Sequence, residues 1–142
     1  MSELAEGAFE VTSWDETPLE SFPNGGKLTR ARLVQTYTGG LEGVAASEWL
    51  MAYRDDGAAD FVGHQRVEGS LGGRSGVFVL EVVGHFDGRV ASGELTAVTG
   101  CGSGDVSLMK GAGHFSAELG PTGTYELDYV FLDAAADDDG QP

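Results

Sequence analysis

The chain has 142 residues, of which 41% are hydrophobic and 22% charged, a length and composition typical of one globular domain. Its 23 glycines come with only 4 prolines and no Gly-X-Y repeat, which excludes collagen and proline-rich disorder. Eight Lys and Arg residues against 23 Asp and Glu residues give a net charge of -15, so neither nucleic acid nor a membrane surface is expected as a partner.

Alternation of apolar and polar residues, interrupted by glycine-containing turns, predicts a chain of β-strands with no amphipathic helix among them. Gly39-Gly40 and Asp87-Gly88 have the turn chemistry of tight hairpins. A polar link with two prolines is predicted over residues 17–26, and one helical turn over residues 105–110. The eight predicted strands cover residues 7–16, 27–37, 43–54, 59–71, 77–86, 90–98, 111–118 and 124–131.

Eight consecutive strands joined by hairpins can close on themselves and leave no exposed edge. The predicted fold is therefore all-β, an eight-stranded antiparallel up-and-down closed barrel with at most one short helical turn. Residues 1–132 are expected to form this single barrel domain, and the acidic residues 133–142 a flexible C-terminal tail. The interior of such a barrel holds either packed side chains or one small ligand, and both alternatives stay open.

Seven short motifs also resemble a known family. They are FEVTSWD (residues 9–15), KLTRA (27–31), LMAYR (50–54), FVG (61–63), LGGRSG (71–76), ASGEL (91–95) and YELDY (125–129). Through them the chain resembles, over nearly its whole length, the bacterial domain-of-unknown-function family 3224. The resemblance implies a barrel similar to that of the allene oxide cyclases, a group of cofactor-free enzymes, but no particular reaction. Gln65 and Val82 stand where the family commonly has a Glu and a His.

Sequence signals for hydrolase and metal chemistry are weak. No G-x-S-x-G nucleophile motif occurs, and the Gly100–Gly104 segment lacks the lysine and the helix of a phosphate-binding loop. Strand alternation places His64, His85 and His114 on the outer face of three different strands. No metal site and no cofactor are therefore predicted.

The barrel interior is the place where function is expected. Large side chains with polar groups share inward faces, the usual anatomy of a small-ligand pocket. Catalytic roles are assigned to Tyr53, Gln65 and Tyr125. The expected ligand is a small apolar or aromatic molecule, and the residues expected to bind it are Trp14, Thr29, Trp49, Met51, Phe78 and Tyr129.

Two functional hypotheses follow from such a pocket. In the first, the protein is a cofactor-independent isomerase or cyclase that holds a flexible substrate in a reactive conformation. In the second, it is a non-catalytic ligand-binding or stress-associated barrel. A buried carboxylate or tyrosine with a perturbed environment, lining an open cavity, favours the enzyme, and a barrel filled by side chains favours the non-catalytic alternative.

Three further sequence features bear on the oligomeric state and the cellular compartment of the protein. Val77, Val79 and Val83 make the outer face of the fifth predicted strand apolar, and either a second subunit of a homo-oligomer or the proline-containing link at residues 17–26 is expected to cover it. The single cysteine, Cys101, cannot form an intramolecular disulfide. The N-terminal residues show no signal-peptide pattern, so a cytoplasmic protein is expected.

Overall fold

A computed structural model describes residues 2–118 and 120–132, and the predicted tail at residues 133–142 lies outside them. Within the described residues the chain forms the eight predicted strands. Their bounds are β1 Glu3–Ser21, β2 Lys27–Gly39, β3 Leu41–Tyr53, β4 Ala59–Leu71, β5 Arg74–Phe86, β6 Val90–Gly104, β7 Met109–Glu118 and β8 Thr122–Phe131.

The strands pair antiparallel in chain order and close into a barrel, which confirms the predicted fold class. Closure joins β1 to β8, from Glu3 opposite Tyr129 to Glu10 opposite Thr122. Both predicted hairpin glycines are used, since Gly39 has φ +104° and Gly88 has φ +101°, a conformation that residues with a side chain rarely adopt.

Side chains alternate between the barrel interior and solvent along most strands, as a half-buried sheet requires. On β2 the odd-numbered residues from Thr29 to Tyr37 are buried, and on β3 those from Leu41 to Met51 are buried except the half-buried Gly43. Charged side chains on the even positions, such as Glu48, Arg66 and Glu68, are exposed. The three histidines are likewise exposed, as the alternation predicted.

Two connecting segments differ from the prediction. The first half of the expected link at residues 17–26 is strand, because β1 continues to Ser21. Beyond Glu10 this strand has β2 as its sheet neighbour but no longer β8, so Pro18 lies where a missing N–H is tolerated. The expected helical turn is absent: β6 extends through the glycine-rich segment to Gly104, and residues 105–108 form a tight turn before β7.

The outer surface carries one apolar stripe. Leu50, Val62 and Val83 are paired side by side across β3, β4 and β5 and are 45%, 49% and 53% exposed. Of the predicted outer valines, Val83 belongs to this stripe, whereas Val77 and Val79 are half-buried. In the described part of the chain, no helix has the length and apolar character needed to cross a membrane.

Candidate functional site

The barrel is packed at one end, where the β2–β3, β4–β5 and β6–β7 turns lie. Bulky side chains that are at most 5% exposed fill this end: Tyr37, Leu41, Leu71, Val106, Met109, Tyr125, Leu127 and Tyr129. A core packed this densely leaves no room for a ligand in this half. We call it the closed end.

The opposite half of the barrel holds a cavity of about 500 Å³. It opens to solvent beside Trp14 and the β7–β8 turn at Gly120 and Pro121. Its walls are mostly apolar, and the side chains that form them come from all strands except β8. The aromatic and large aliphatic lining residues are Phe9, Val11, Trp14, Leu33, Trp49, Met51, Tyr53, Phe61, Phe86 and Phe115.

Trp49 organises the aromatic wall of the cavity. Its ring stacks on Phe61 with centroids 4.7 Å apart, and Trp14 meets it edge-on at 6.2 Å. Gly63 makes this position of the indole available, because a Cβ there would lie 2.8 Å from Trp49 Cδ1. The wall is thus held by ring contacts that favour flat aromatic partners.

A β-bulge in β1 decides which side chains reach the mouth of the cavity. Val11 pairs with Gln35 and Ser13 with Val34, so Thr12 is an extra residue on β1. The bulge reverses the alternation, and Trp14 and Glu16 then share the inward face with Leu33 and Ala31, their partners on β2. Without the bulge both side chains would point to solvent.

Glu16 accepts three side-chain hydrogen bonds at this mouth. Thr29 Oγ1 and Tyr53 Oη donate to its Oε2 at 2.5 and 2.6 Å, and Trp14 Nε1 donates to its Oε1 at 3.2 Å. Two of the donors, Trp14 and Tyr53, line the cavity. The carboxylate is therefore held directly behind the cavity wall, with acceptor capacity left on Oε1.

This arrangement keeps Glu16 ionised and Tyr53 neutral. Partial burial raises the pKa of Glu16, but the bonds from Thr29, Tyr53 and Trp14, together with the charge of Lys27, outweigh it and hold the pKa below 4.5. Burial raises the pKa of Tyr53, and its hydrogen bond to the Glu16 carboxylate raises it further. At neutral pH the pair is a carboxylate with a neutral phenol donating to it.

Polar side chains form the boundary between the cavity and the closed end. Gln35, which lines the cavity, accepts a hydrogen bond from Ser47 Oγ at 2.9 Å through its Oε1. Next to it, Tyr37 Oη donates to Gln65 Oε1 at 2.8 Å. Trp49 Nε1 and Gln65 Nε2 are buried donors that find no acceptor among the described residues. A buried donor without an acceptor lowers the stability of the fold, because it has lost its hydrogen bonds to water. Gln65 lies in the packed interior and does not line the cavity.

The structure gathers only part of the predicted site. Of the residues that the sequence assigns to a site, Trp14, Trp49, Met51 and Tyr53 line the cavity. Thr29 reaches the site indirectly, through Glu16. The predicted residues that do not line the cavity are Gln65, Phe78, Tyr125 and Tyr129.

Tyr125 has a structural role at the closed end. Its Oη accepts a hydrogen bond from Leu41 N at 2.9 Å and donates toward Thr38 O at 2.9 Å or Leu41 O at 3.1 Å. These contacts fasten β8 to the β2–β3 hairpin. The Tyr125 hydroxyl, to which the sequence assigns a catalytic role, is thus fully engaged with backbone groups, and Tyr125 does not line the cavity.

Glu16 is the site residue that the strand pattern missed. Regular alternation from Phe9 and Val11 places residue 16 on the outer face, where a carboxylate is ordinary and does not indicate a functional site. The one available signal was Trp14, a large aromatic residue out of phase with Phe9 and Val11, which is typical of a bulged strand. No group of three or more His, Cys, Asp and Glu residues able to hold a metal ion occurs in the described ranges.

Comparison with known proteins agrees with the fold. The model of the family described as "Protein of unknown function (DUF3224)" matches residues 5–129. The crystal structure, at 1.84 Å resolution, of a protein of unknown function from the DUF3224 family of Shewanella oneidensis MR-1 is 29% identical and has a TM-score of 0.72, with 92% of this chain and 98% of that chain covered. Comparison with curated proteins finds no match. The chain therefore belongs to the DUF3224 family of proteins of unknown function.

Proposed function

We propose that the protein binds one small apolar or aromatic molecule in the open half of its barrel. The cavity of about 500 Å³ carries this proposal. Its volume lies within the range of about 300–1,000 Å³ that is typical of small-molecule sites, and an apolar wall with a few placed polar groups is the usual anatomy of such sites. Burial of an aromatic ligand against Trp49 and Phe61 would add ring contacts to the hydrophobic gain.

A perturbed Glu16–Tyr53 pair beside an open cavity is the feature expected of an enzyme, but the direction of its two pKa shifts favours binding over the cofactor-free isomerase or cyclase hypothesis. A general acid or base works best when its pKa is near the operating pH. The pKa of Glu16 is lowered and that of Tyr53 is raised, so both move away from neutrality. The pair is suited to hold a ligand group by hydrogen bonds, and the relation to allene oxide cyclases remains an expectation.

The test uses the tryptophans of the protein as reporters. The chain has two, Trp14 and Trp49, and both line the cavity. N-phenyl-1-naphthylamine, a neutral aromatic dye, should quench their emission and gain its own fluorescence by energy transfer in a saturable titration. Absence of saturable binding by this dye and by a screen of aromatic metabolites would contradict the proposal.

Two variants on one strand separate the cavity from the surface. Ala117 lines the cavity on β7, and Ala112 is exposed on the same strand. Ala117→Phe fills part of the cavity and should weaken dye binding about tenfold or more, whereas Ala112→Phe should leave it unchanged. Equal dye affinity in the two variants would place the dye elsewhere.

We also propose that a second copy of the chain covers the outer apolar stripe. Arg30 flanks the stripe on the side of Leu50, and Glu94 flanks it on the side of Val83. A two-fold axis along the central strand brings Arg30 of one copy opposite Glu94 of the other, so the stripe is self-complementary in charge.

A further inference from the structure

We infer that the cavity selects aromatic molecules that carry a cationic amine, with the ammonium group held at the mouth beside Glu16. This inference rests on the proposed binding function and adds the charge class and the orientation of the ligand. It depends on the position of one carboxylate, on the aromatic rings around it and on a cation that the chain itself places there.

Glu16 provides the negative charge. It lies on the inward face of β1 because of the Thr12 bulge, and it is tied to Trp14 and Tyr53, two residues of the cavity wall. Among the described residues only Trp14 donates to its Oε1, at 3.2 Å, so this oxygen can accept another donor. The Tyr53 hydroxyl donates to Glu16 and keeps its own oxygen as an acceptor. An ammonium group has three N–H donors, enough to serve both acceptors.

The aromatic rings at the mouth suit a cation as well. Trp14 and Tyr53 both line the cavity beside Glu16, and the faces of such rings attract ammonium groups. Lys27 already shows this attraction, because its Nζ lies 4.8 Å from the centroid of the Tyr53 ring. Lys27 is exposed and its side chain is flexible, so a ligand ammonium can displace the Lys27 ammonium from the Tyr53 ring.

The charge of the whole molecule acts in the same direction. A net charge of -15 raises the local concentration of cations and lowers that of anions around the barrel mouth. Long-range attraction is screened by salt, whereas the contact with the partly buried Glu16 is screened less. A preference for cationic over neutral ligands that persists at physiological ionic strength is therefore attributed to Glu16 and not to the net charge.

The test compares three probes with one aromatic body: 2-naphthylmethylamine, which is an ammonium at neutral pH, 2-naphthylmethanol and 2-naphthoate. Binding is followed by tryptophan quenching at 0.15 M salt. We expect the amine to bind about tenfold more tightly than the alcohol, and the carboxylate to bind most weakly. Glu16→Gln should remove most of the preference for the amine over the alcohol.

Two further variants complete the test. Glu10→Gln removes one negative charge from the outer face of the same strand and should not change the preference. Lys27→Gln removes the competing cation and should increase the affinity for the amine, a result that does not depend on the folding of the Glu16 variant. Equal affinities for the three probes, or equal effects of Glu10→Gln and Glu16→Gln, would overturn the inference while the binding function stands. Failure of all three probes to bind would overturn the inference, and failure of N-phenyl-1-naphthylamine and the metabolite screen as well would overturn the binding function.

Discussion

Tyr125→Phe tests whether the Tyr125 hydroxyl stabilises the closed end by its hydrogen bonds to the β2–β3 hairpin. The substitution removes one hydroxyl and leaves the ring. It takes away the acceptor of Leu41 N, and Leu41 is only 1% exposed, so water cannot replace that acceptor. It also removes the bond donated to the carbonyl of Thr38 or Leu41.

The expected cost follows from these contacts. A net hydrogen bond contributes about 0.5–1.5 kcal/mol, and a buried N–H left without a partner costs about 1–3 kcal/mol, so the free energy of unfolding should fall by about 2–4 kcal/mol. For a domain of this size the melting temperature should fall by about 6–12 °C. Urea unfolding, with an unchanged dependence on urea concentration, is the appropriate assay.

Tyr129→Phe is the matched control on the same strand. Tyr129 is also buried, but its hydroxyl makes no hydrogen bond with the described residues. Its removal should change the free energy of unfolding by less than about 0.5 kcal/mol. Similar losses in the two variants, or a loss of amine binding in Tyr125→Phe at constant fold, would refute the structural role assigned to Tyr125.

Three other predictions concern pH, association and metal. The pKa of Glu16 in the folded protein lies below its ordinary value, so the stabilisation that this carboxylate contributes is complete above the ordinary pKa and is lost as the pH falls through the folded pKa. The stability of Glu16→Gln should therefore depend less on pH in acid than that of the wild type. Parallel curves of stability against pH for the two proteins would contradict this. Val83→Lys places a charge in the outer apolar stripe and should shift sedimentation toward the monomer; a wild-type protein that is monomeric at high concentration would exclude the proposed pairing. Treatment with EDTA should leave the melting temperature unchanged, and stoichiometric zinc or iron in the purified protein would show that this expectation is wrong.

Local sequence signals were sufficient for the order and direction of the strands. Alternation between two faces and the glycines of the hairpins are short-range features, so they predicted eight strands, the turns at Gly39 and Gly88, and the outward histidines. They also placed Trp49, Met51 and Tyr53 together on one inward face, which became part of the cavity wall.

The tertiary structure decided which inward residues meet a ligand. Tyr53 and Tyr125 have the same alternation signal, but they lie near opposite ends of the barrel, and only the register across closed strands shows which end is packed and which is open. The bulge at Thr12 is set by the pairing of β1 with β2, and the out-of-phase Trp14 in β1 does not by itself fix the inward position of Glu16. Alternation is a property of each strand, whereas register, bulges and the filling of a barrel depend on all eight strands at once.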